Sequence, residues 1–217
     1  MYVGLLVCGK SLRHAQDREV DNFFERVYDG LFEEFTMSEV KKLQTPLGVE
    51  DVRKLRAGDE VSISGVVYTG RDMAHKRLCE LIDGGGELPI ELEGQVIYFV
   101  GPTPAGEGRV IGSAGPTTSS RMDAFSPKLI AKGLRGMIGK GYRGDEVREA
   151  LKEYCAVHFA ATGGAGALLS QHIVACEVIA YEEFGTEAIR RLEFEDFPAV
   201  VAYDCYGGDV YEQGGRK

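Results

Sequence analysis

The chain has 217 residues, 44% of them hydrophobic and 27% charged, with a formal net charge of −9. The length allows one large domain, or one domain with an appendage, of ordinary globular composition. The negative balance excludes a nucleic-acid partner held by bulk electrostatics, and no apolar run is long enough to span a bilayer.

The apolar start Met1–Cys8 is too short for a signal peptide and has no basic region before it, so the expected location is the cytoplasm. Phe23, Phe24, Val27, Tyr28, Leu31, Phe32 and Phe35 then recur at helical spacing. Two readings stand for residues 1–36. One is an N-terminal helix that docks on the domain or a partner. The other is a misassigned upstream extension, because Met37-Ser38-Glu39 reads as a natural start and Glu33-Glu34 fits purine-rich codons before it. Residues 37–206 are expected to form the domain, and residues 207–217 a polar tail.

Thr45-Pro46 opens the domain, and Val49–Leu55 is a short helical pattern ended by Gly58. Glu60–Tyr68 alternates like a strand. Asp72 is expected to cap a helix whose stripe is Ala74, Leu78, Leu81 and Ile82, terminated by Gly84-Gly85-Gly86. Gln95–Val100 reads as a buried strand, followed by the turn Gly101–Gly108 and a short strand around Val110. Leu129 and Ile130 close a short helix, and Leu134–Ile138 is a strand. Val147, Ala150, Leu151, Tyr154 and Cys155 mark an amphipathic helix. Val157–Ala161 is another strand, and Thr162–Gly166 is a glycine-rich turn opening an apolar helical run. Three strand-like pieces complete the pattern: Val174–Tyr181, Ala188–Phe194 and Ala199–Tyr203. Alternating strands and helices with strand runs at both ends predict a layered α/β fold.

Four segments combine glycine with groups that bind anions. In Tyr68-Thr-Gly-Arg-Asp-Met-Ala-His75, Arg71 falls where a strand ends and a helix begins, a place that favours an anion. A solvated turn arginine with His75 packed on the helix fits the same spacing. Gly112–Asp123 puts two glycines, a proline, five hydroxyl side chains and Arg121 into twelve residues. A plain helix cap at Thr118 or Ser119 explains one hydroxyl, but not the group. In Gly139-Lys140-Gly141 the glycines let backbone crowd a ligand beside a cation, although an exposed turn lysine has the same pattern. Thr162-Gly-Gly-Ala-Gly166 lacks the Lys-Ser/Thr ending of a P-loop and the spacing of a dinucleotide site, so it reads as close packing. Arg71, Arg121 and Lys140 together suit a small dicarboxylate, since each carboxylate can take a bidentate arginine. The five cysteines (Cys8, Cys79, Cys155, Cys176, Cys205) are scattered and never in a Cys-x-x-Cys pair. They form neither a disulfide framework nor a dense metal motif.

At these motifs the chain closely resembles the β subunit, equivalently the C-terminal domain, of class I iron–sulfur fumarases and L-tartrate dehydratases. The resemblance runs from about Leu43 to Asp204. It is carried by Gly65 through His75, Gly101-Pro-Thr-Pro104, Gly112 through Asp123, Gly139-Lys-Gly141 and Thr162-Gly-Gly-Ala165. Residues 1–36 fall outside it. The resemblance implies a swivelling β/β/α domain. It implies that a four-iron four-sulfur cluster is held by a separate α subunit and not by this chain, with the active site between the two and an open iron as Lewis acid. It implies that Arg71, Arg121 and Lys140 bind substrate and that Thr117 is the catalytic base. An unperturbed hydroxyl is too weakly acidic for that role, so Thr117 would need a carboxylate of the α subunit to take its proton. The function implied is reversible hydration of fumarate to L-malate within a higher αβ oligomer. L-tartrate dehydratase or a related hydroxydicarboxylate hydro-lyase is the near alternative. A non-catalytic dicarboxylate-binding module is the alternative of another class.

Overall fold

A computed structural model describes residues 40–214. Both readings of residues 1–36, and the start at Met37, lie outside the described residues. Seven strands form one sheet: β1 (Lys41–Thr45), β2 (Glu60–Thr69), β3 (Val96–Tyr98), β4 (Gly136–Gly139), β5 (Val157–Ala160), β6 (Ile173–Ala180) and β7 (Ile189–Tyr203). The helices are α1 (Val49–Arg53), α2 (Asp72–Asp83), α3 (Ser126–Ala131), α4 (Asp145–Glu153), α5 (Gly166–Leu169) and α6 (Val210–Gly214). Strands β1 to β5 run parallel in that order. The antiparallel β7 pairs with β5 and also with β2, which closes the sheet on itself as a barrel. The chain is thus a mixed α/β domain around a closed, barrel-like sheet.

The closure sorts the side chains by strand alternation. Along β2, Val61, Ile63 and Val67 are buried while their neighbours are half exposed. Val96 and Tyr98 of β3 join Phe159, Phe194 and Phe197 in one core, inside the barrel. Ile97 and Phe99 point the other way, into a second core with Leu78, Leu129, Val147 and Leu151 of the helices. Tyr98, deep in the first core, donates its hydroxyl to the Ala114 carbonyl at 2.6 Å, which meets the cost of burying it.

Several sequence expectations need correction. The pieces expected at 188–194 and 199–203 are a single strand, β7, bent at Asp196 with φ 48°. The bend survives because the Ser62 hydroxyl donates to Asp196 Oδ1 at 2.8 Å and the Asp196 amide donates to Ser64 Oγ at 3.0 Å. No strand forms around Val110, which is 49% exposed. Only Ile111 of this segment enters the core, and no partner strand lies alongside it. Asp72 is not the cap of α2. Arg71 holds that position in extended conformation, and Asp72 is the first helical residue. Lys41–Thr45, unremarked in the sequence, is a strand parallel to β2. Beyond β7 the chain continues into α6: Asp209 bridges to Tyr203, and the Tyr211 ring lies 4.5 Å from that of Tyr142.

Candidate functional site

Parallel strands end on one side of a sheet, and loops from several strands meet there. Here β2 ends at Thr69 before Arg71, β4 ends at Gly139 before Lys140, and β5 ends at Ala160 before Thr162–Gly166. Between the ends of β3 and β4 lies the segment Thr117–Ser119, held as an extra length of sheet. The Thr117 amide donates to the Phe99 carbonyl at 2.7 Å, and the Lys140 amide donates to the Thr117 carbonyl at 3.2 Å. The Ser119 amide completes the ladder with 2.8 Å to the Lys140 carbonyl. Thr117 and Lys140 are therefore fixed next to each other by backbone. Gly139 makes this possible, since a Cβ there would strike the buried Ser119 hydroxyl and the Phe99 ring.

Arg121 lies on the one-turn 3-10 helix Ser119–Met122 that continues this segment. Thr118 stands at its cap position without a side-chain cap bond, so a cap is not what the hydroxyls provide. Arg121 reaches across to α2 and grips Asp72 with two nitrogens, Nε to Oδ1 at 3.1 Å and Nη2 to Oδ2 at 2.7 Å. Its side chain remains 47% exposed. The displacement of Asp72 from the cap is what makes it available: as the first helical residue it faces the neighbouring turn.

Arg71 is more enclosed. Its guanidinium passes over Gly101, where a Cβ would come within 2.5 Å of Nη1. Its Nη2 is 3.6 Å from Glu187 Oε1, and its Nε is buried with no hydrogen-bond partner among the described residues. Glu187 also accepts the Met73 amide at 2.9 Å, so it supplies to the start of α2 the oxygen that Asp72 was expected to supply. The Arg71 carbonyl accepts both the amide and the ring Nδ1–H of His75 at 2.9 Å. That ring is fully buried against Phe99 and Phe125, and burial pushes its pKa down to about 4. His75 is a neutral strut under Arg71.

The glycine-rich turn packs against the rest as expected. The Ala114 amide donates to the Gly166 carbonyl at 3.0 Å, and a Cβ on Gly166 would lie 2.7 Å from the Gly115 nitrogen. Gly163 lies beside the Lys140 side chain, 3.4 Å from its Cδ at the Cβ position.

A second polar layer lies below. Arg143, whose side chain is fully buried, donates from Nε to Asp123 Oδ1 at 2.7 Å and from Nη2 to Ser126 Oγ at 2.6 Å. Its Nη1 donates to His158 Nδ1 at 3.3 Å, and its guanidinium carbon is 5.3 Å from the Phe99 ring centre. Burial and the Arg143 charge hold His158 well below the ordinary histidine range. Asp72, Glu187, Asp123 and Arg143 escape sequence reasoning. Only Asp72 and Asp123 carried a signal, as the acidic residues inside the two arginine motifs.

The structure thus brings Arg71, Thr117, Arg121 and Lys140 to one edge of the barrel, open to solvent at Arg121 and Lys140. Such an edge presents a hydroxyl among three cations, which suits a small dianion. Among the described residues no three His, Cys, Asp or Glu side chains converge as a metal site. The described cysteines Cys79, Cys155, Cys176 and Cys205 do not form the ligand set of an iron–sulfur cluster. No described helix is long and apolar enough to cross a membrane.

A family model described as fumarase C-terminus matches residues 12–214, beginning upstream of the boundary expected at 37. A putative class I fumarate hydratase of Geobacillus stearothermophilus is 38% identical over 175 residues, covering 78% of this chain and 33% of that protein. The aerobic class I fumarate hydratase of Escherichia coli K12 is 39% identical over 155 residues, covering 70% of this chain and 28% of that protein. A putative L(+)-tartrate dehydratase subunit beta of Methanocaldococcus jannaschii is 34% identical over 174 residues, covering 77% of this chain and 89% of that protein. The chain spans about a third of the two hydratases and most of the tartrate dehydratase subunit.

Proposed function

The chain belongs to the fumarase C-terminus family, and from that premise we propose that it is the β subunit of a class I fumarate hydratase. It would act with an α subunit that carries the four-iron four-sulfur cluster, and would hydrate fumarate reversibly to L-malate. The observation that carries this reading is the convergence of Arg71, Thr117, Arg121 and Lys140 on one barrel edge. The near-complete match to a protein named as a subunit supports a separate chain over a fused domain. The same match favours one second reading, the β subunit of an L-tartrate dehydratase.

In the proposed reaction this chain binds and orients. Arg71 and Arg121 each take a substrate carboxylate through a planar fork, and Lys140 adds a third charge beside Thr117. Holding both carboxylates fixes which carbon faces the Thr117 hydroxyl. Thr117 handles the proton on that carbon. A carboxylate of the α subunit receives the hydroxyl proton, because the hydroxyl alone is too weak an acid at neutral pH. The domain around these residues is proposed to be the swivelling β/β/α type, and the complete enzyme a higher αβ oligomer.

The test is anaerobic co-expression with the α subunit and assay against fumarate, malate and both tartrates. The pair should turn over fumarate, and the purified single chain should not. Arg121→Ala should lower kcat/KM of the pair by about 100-fold or more, the loss of one charged bidentate contact, while this subunit stays folded. Activity of the single chain, or near-native turnover of the variant, would refute the reading. Turnover of tartrate alone would select the second one.

A further inference from the structure

We propose that Cys155 and Cys205 form a reactive dithiol that closes to an intramolecular disulfide when the protein meets a peroxide. The proposal is independent of the hydratase reading, because the two sulfurs lie at the other end of the barrel, before β5 and after β7.

Three observations carry it. The first is adjacency. β5 and β7 are antiparallel, with His158 opposite Tyr203, so the chain before His158 runs alongside the chain after Tyr203. The Cys155 and Cys205 thiols are neighbours there. Both thiols are free and partly exposed, and both pack on the rim of the inner core.

The second is backbone geometry. Helix α4 ends at Glu153 with Tyr154 as its cap, and the Ala156 amide folds back to the Leu151 carbonyl at 2.9 Å. That closure needs the intervening residue in the left-handed region, where glycine is usual. Cys155 occupies it with φ 51°. A side chain is kept at a position that penalises one, as happens where the side chain has a task.

The third is the electrostatic surroundings. The Cys155 thiol points at the Val49 carbonyl of α1, 4.0 Å away. Cys205 is different: burial first, and then the neighbouring Cys155 sulfur, push its pKa up to about 11. Cys155 is therefore the attacking sulfur and Cys205 the resolving one.

The Cys155 thiolate attacks one peroxide oxygen, the O–O bond breaks, and a sulfenic acid forms. The departing hydroxide takes the thiol proton and leaves as water. The Cys205 sulfur then attacks Cys155 Sγ, the S–O bond breaks, and hydroxide leaves with the Cys205 proton as a second water. Two thiols are oxidised to one disulfide, and one peroxide is reduced to two waters. The bond ties the start of β5 to the end of β7.

The experiment uses the full chain, reduced and then treated with hydrogen peroxide near stoichiometry, alkylated, and digested with chymotrypsin without reduction. Cleavage after Tyr154, Phe159, Tyr203 and Tyr206 separates Cys155 and Cys205 from each other and from the remaining cysteines. The expected product is a cross-link between the Cys155 and Cys205 peptides, about two mass units lighter than the two thiol peptides together and lost on reduction. Cys205→Ser should leave a Cys155 sulfenic acid that dimedone traps. Alkylation of both wild-type cysteines as free thiols would overturn the proposal, as would oxidation of Cys155 without the cross-link.

Discussion

Two buried histidines give the protein a calculable response to acid. His75 under Arg71 and His158 beside Arg143 are both fully buried, and both titrate below the ordinary value of 6.5, His75 at about 4. The unfolded chain binds these protons first as pH falls, so folding loses stability through the window from 6.5 down to about 4 and loses none above it. Each histidine contributes about 1.4 kcal/mol per pH unit within that window. The urea midpoint should therefore fall steeply between pH 6.5 and 4.5, and His75→Gln should remove about one proton from the slope. A midpoint flat across that range would show that both rings charge freely in the fold. At the same scale, Arg71 and Lys140 stand out in the sequence beside glycine, and Arg121 stands out at an expected helix start. Glu187 is not legible: it comes 116 positions after Arg71, on a turn without motif character, and only the folding of that turn onto α2 brings the two together. His75 is legible as a residue that packs but not as a strut, since its role depends on which carbonyl its ring meets.

Among the elements, Arg143 forms a joint between helices and sheet. Asp123 at the end of the Arg121 turn takes Arg143 on one oxygen and the Gly144 amide, which caps α4, at 2.8 Å on the other. The same guanidinium reaches Ser126 at the start of α3 and His158 on β5. One side chain therefore ties three helical segments to the sheet. Removing one partner of a buried pair leaves the other charge unpaired, at a cost of about 3 kcal/mol or more. Arg143→Met should thus lower the melting temperature of the chain by about 6–12 °C. Arg143→Lys should recover less than half of that, because a compact ammonium lacks the planar fork that reaches three separated partners. A shift under about 2 °C in Arg143→Met would show the joint to be dispensable. Elements with clean periodicity, β2 and α4 above all, are legible in the sequence. The continuity of β7 is hidden, because Glu195-Asp196 and Pro198 break the alternation and only Ser62 and Ser64 on the partner strand explain why the strand goes on.

At the scale of the whole molecule, closure depends on the last strand. β7 pairs with β2, β5 and β6, and it contributes Phe194, Phe197 and Val201 to the inner core. A chain ending at Glu187 would expose one edge of β2 and empty much of that core. It should show no cooperative thermal transition, and a sharp calorimetric peak from such a fragment would refute the closed-sheet account. The barrel also bears on where the candidate site falls. Its interior is filled by side chains, and the candidate residues stand on the rim where the parallel strands end. On that rim two of the three cations arrive already matched, Arg71 by Glu187 and Arg121 by Asp72. Under the proposed function a ligand therefore enters by exchange, each of its carboxylates taking over an arginine from a resident one. A dianion can complete both exchanges at once, whereas acetate or lactate can complete only one. Such a rim discriminates by valence before shape is consulted, and it stays nearly neutral when empty.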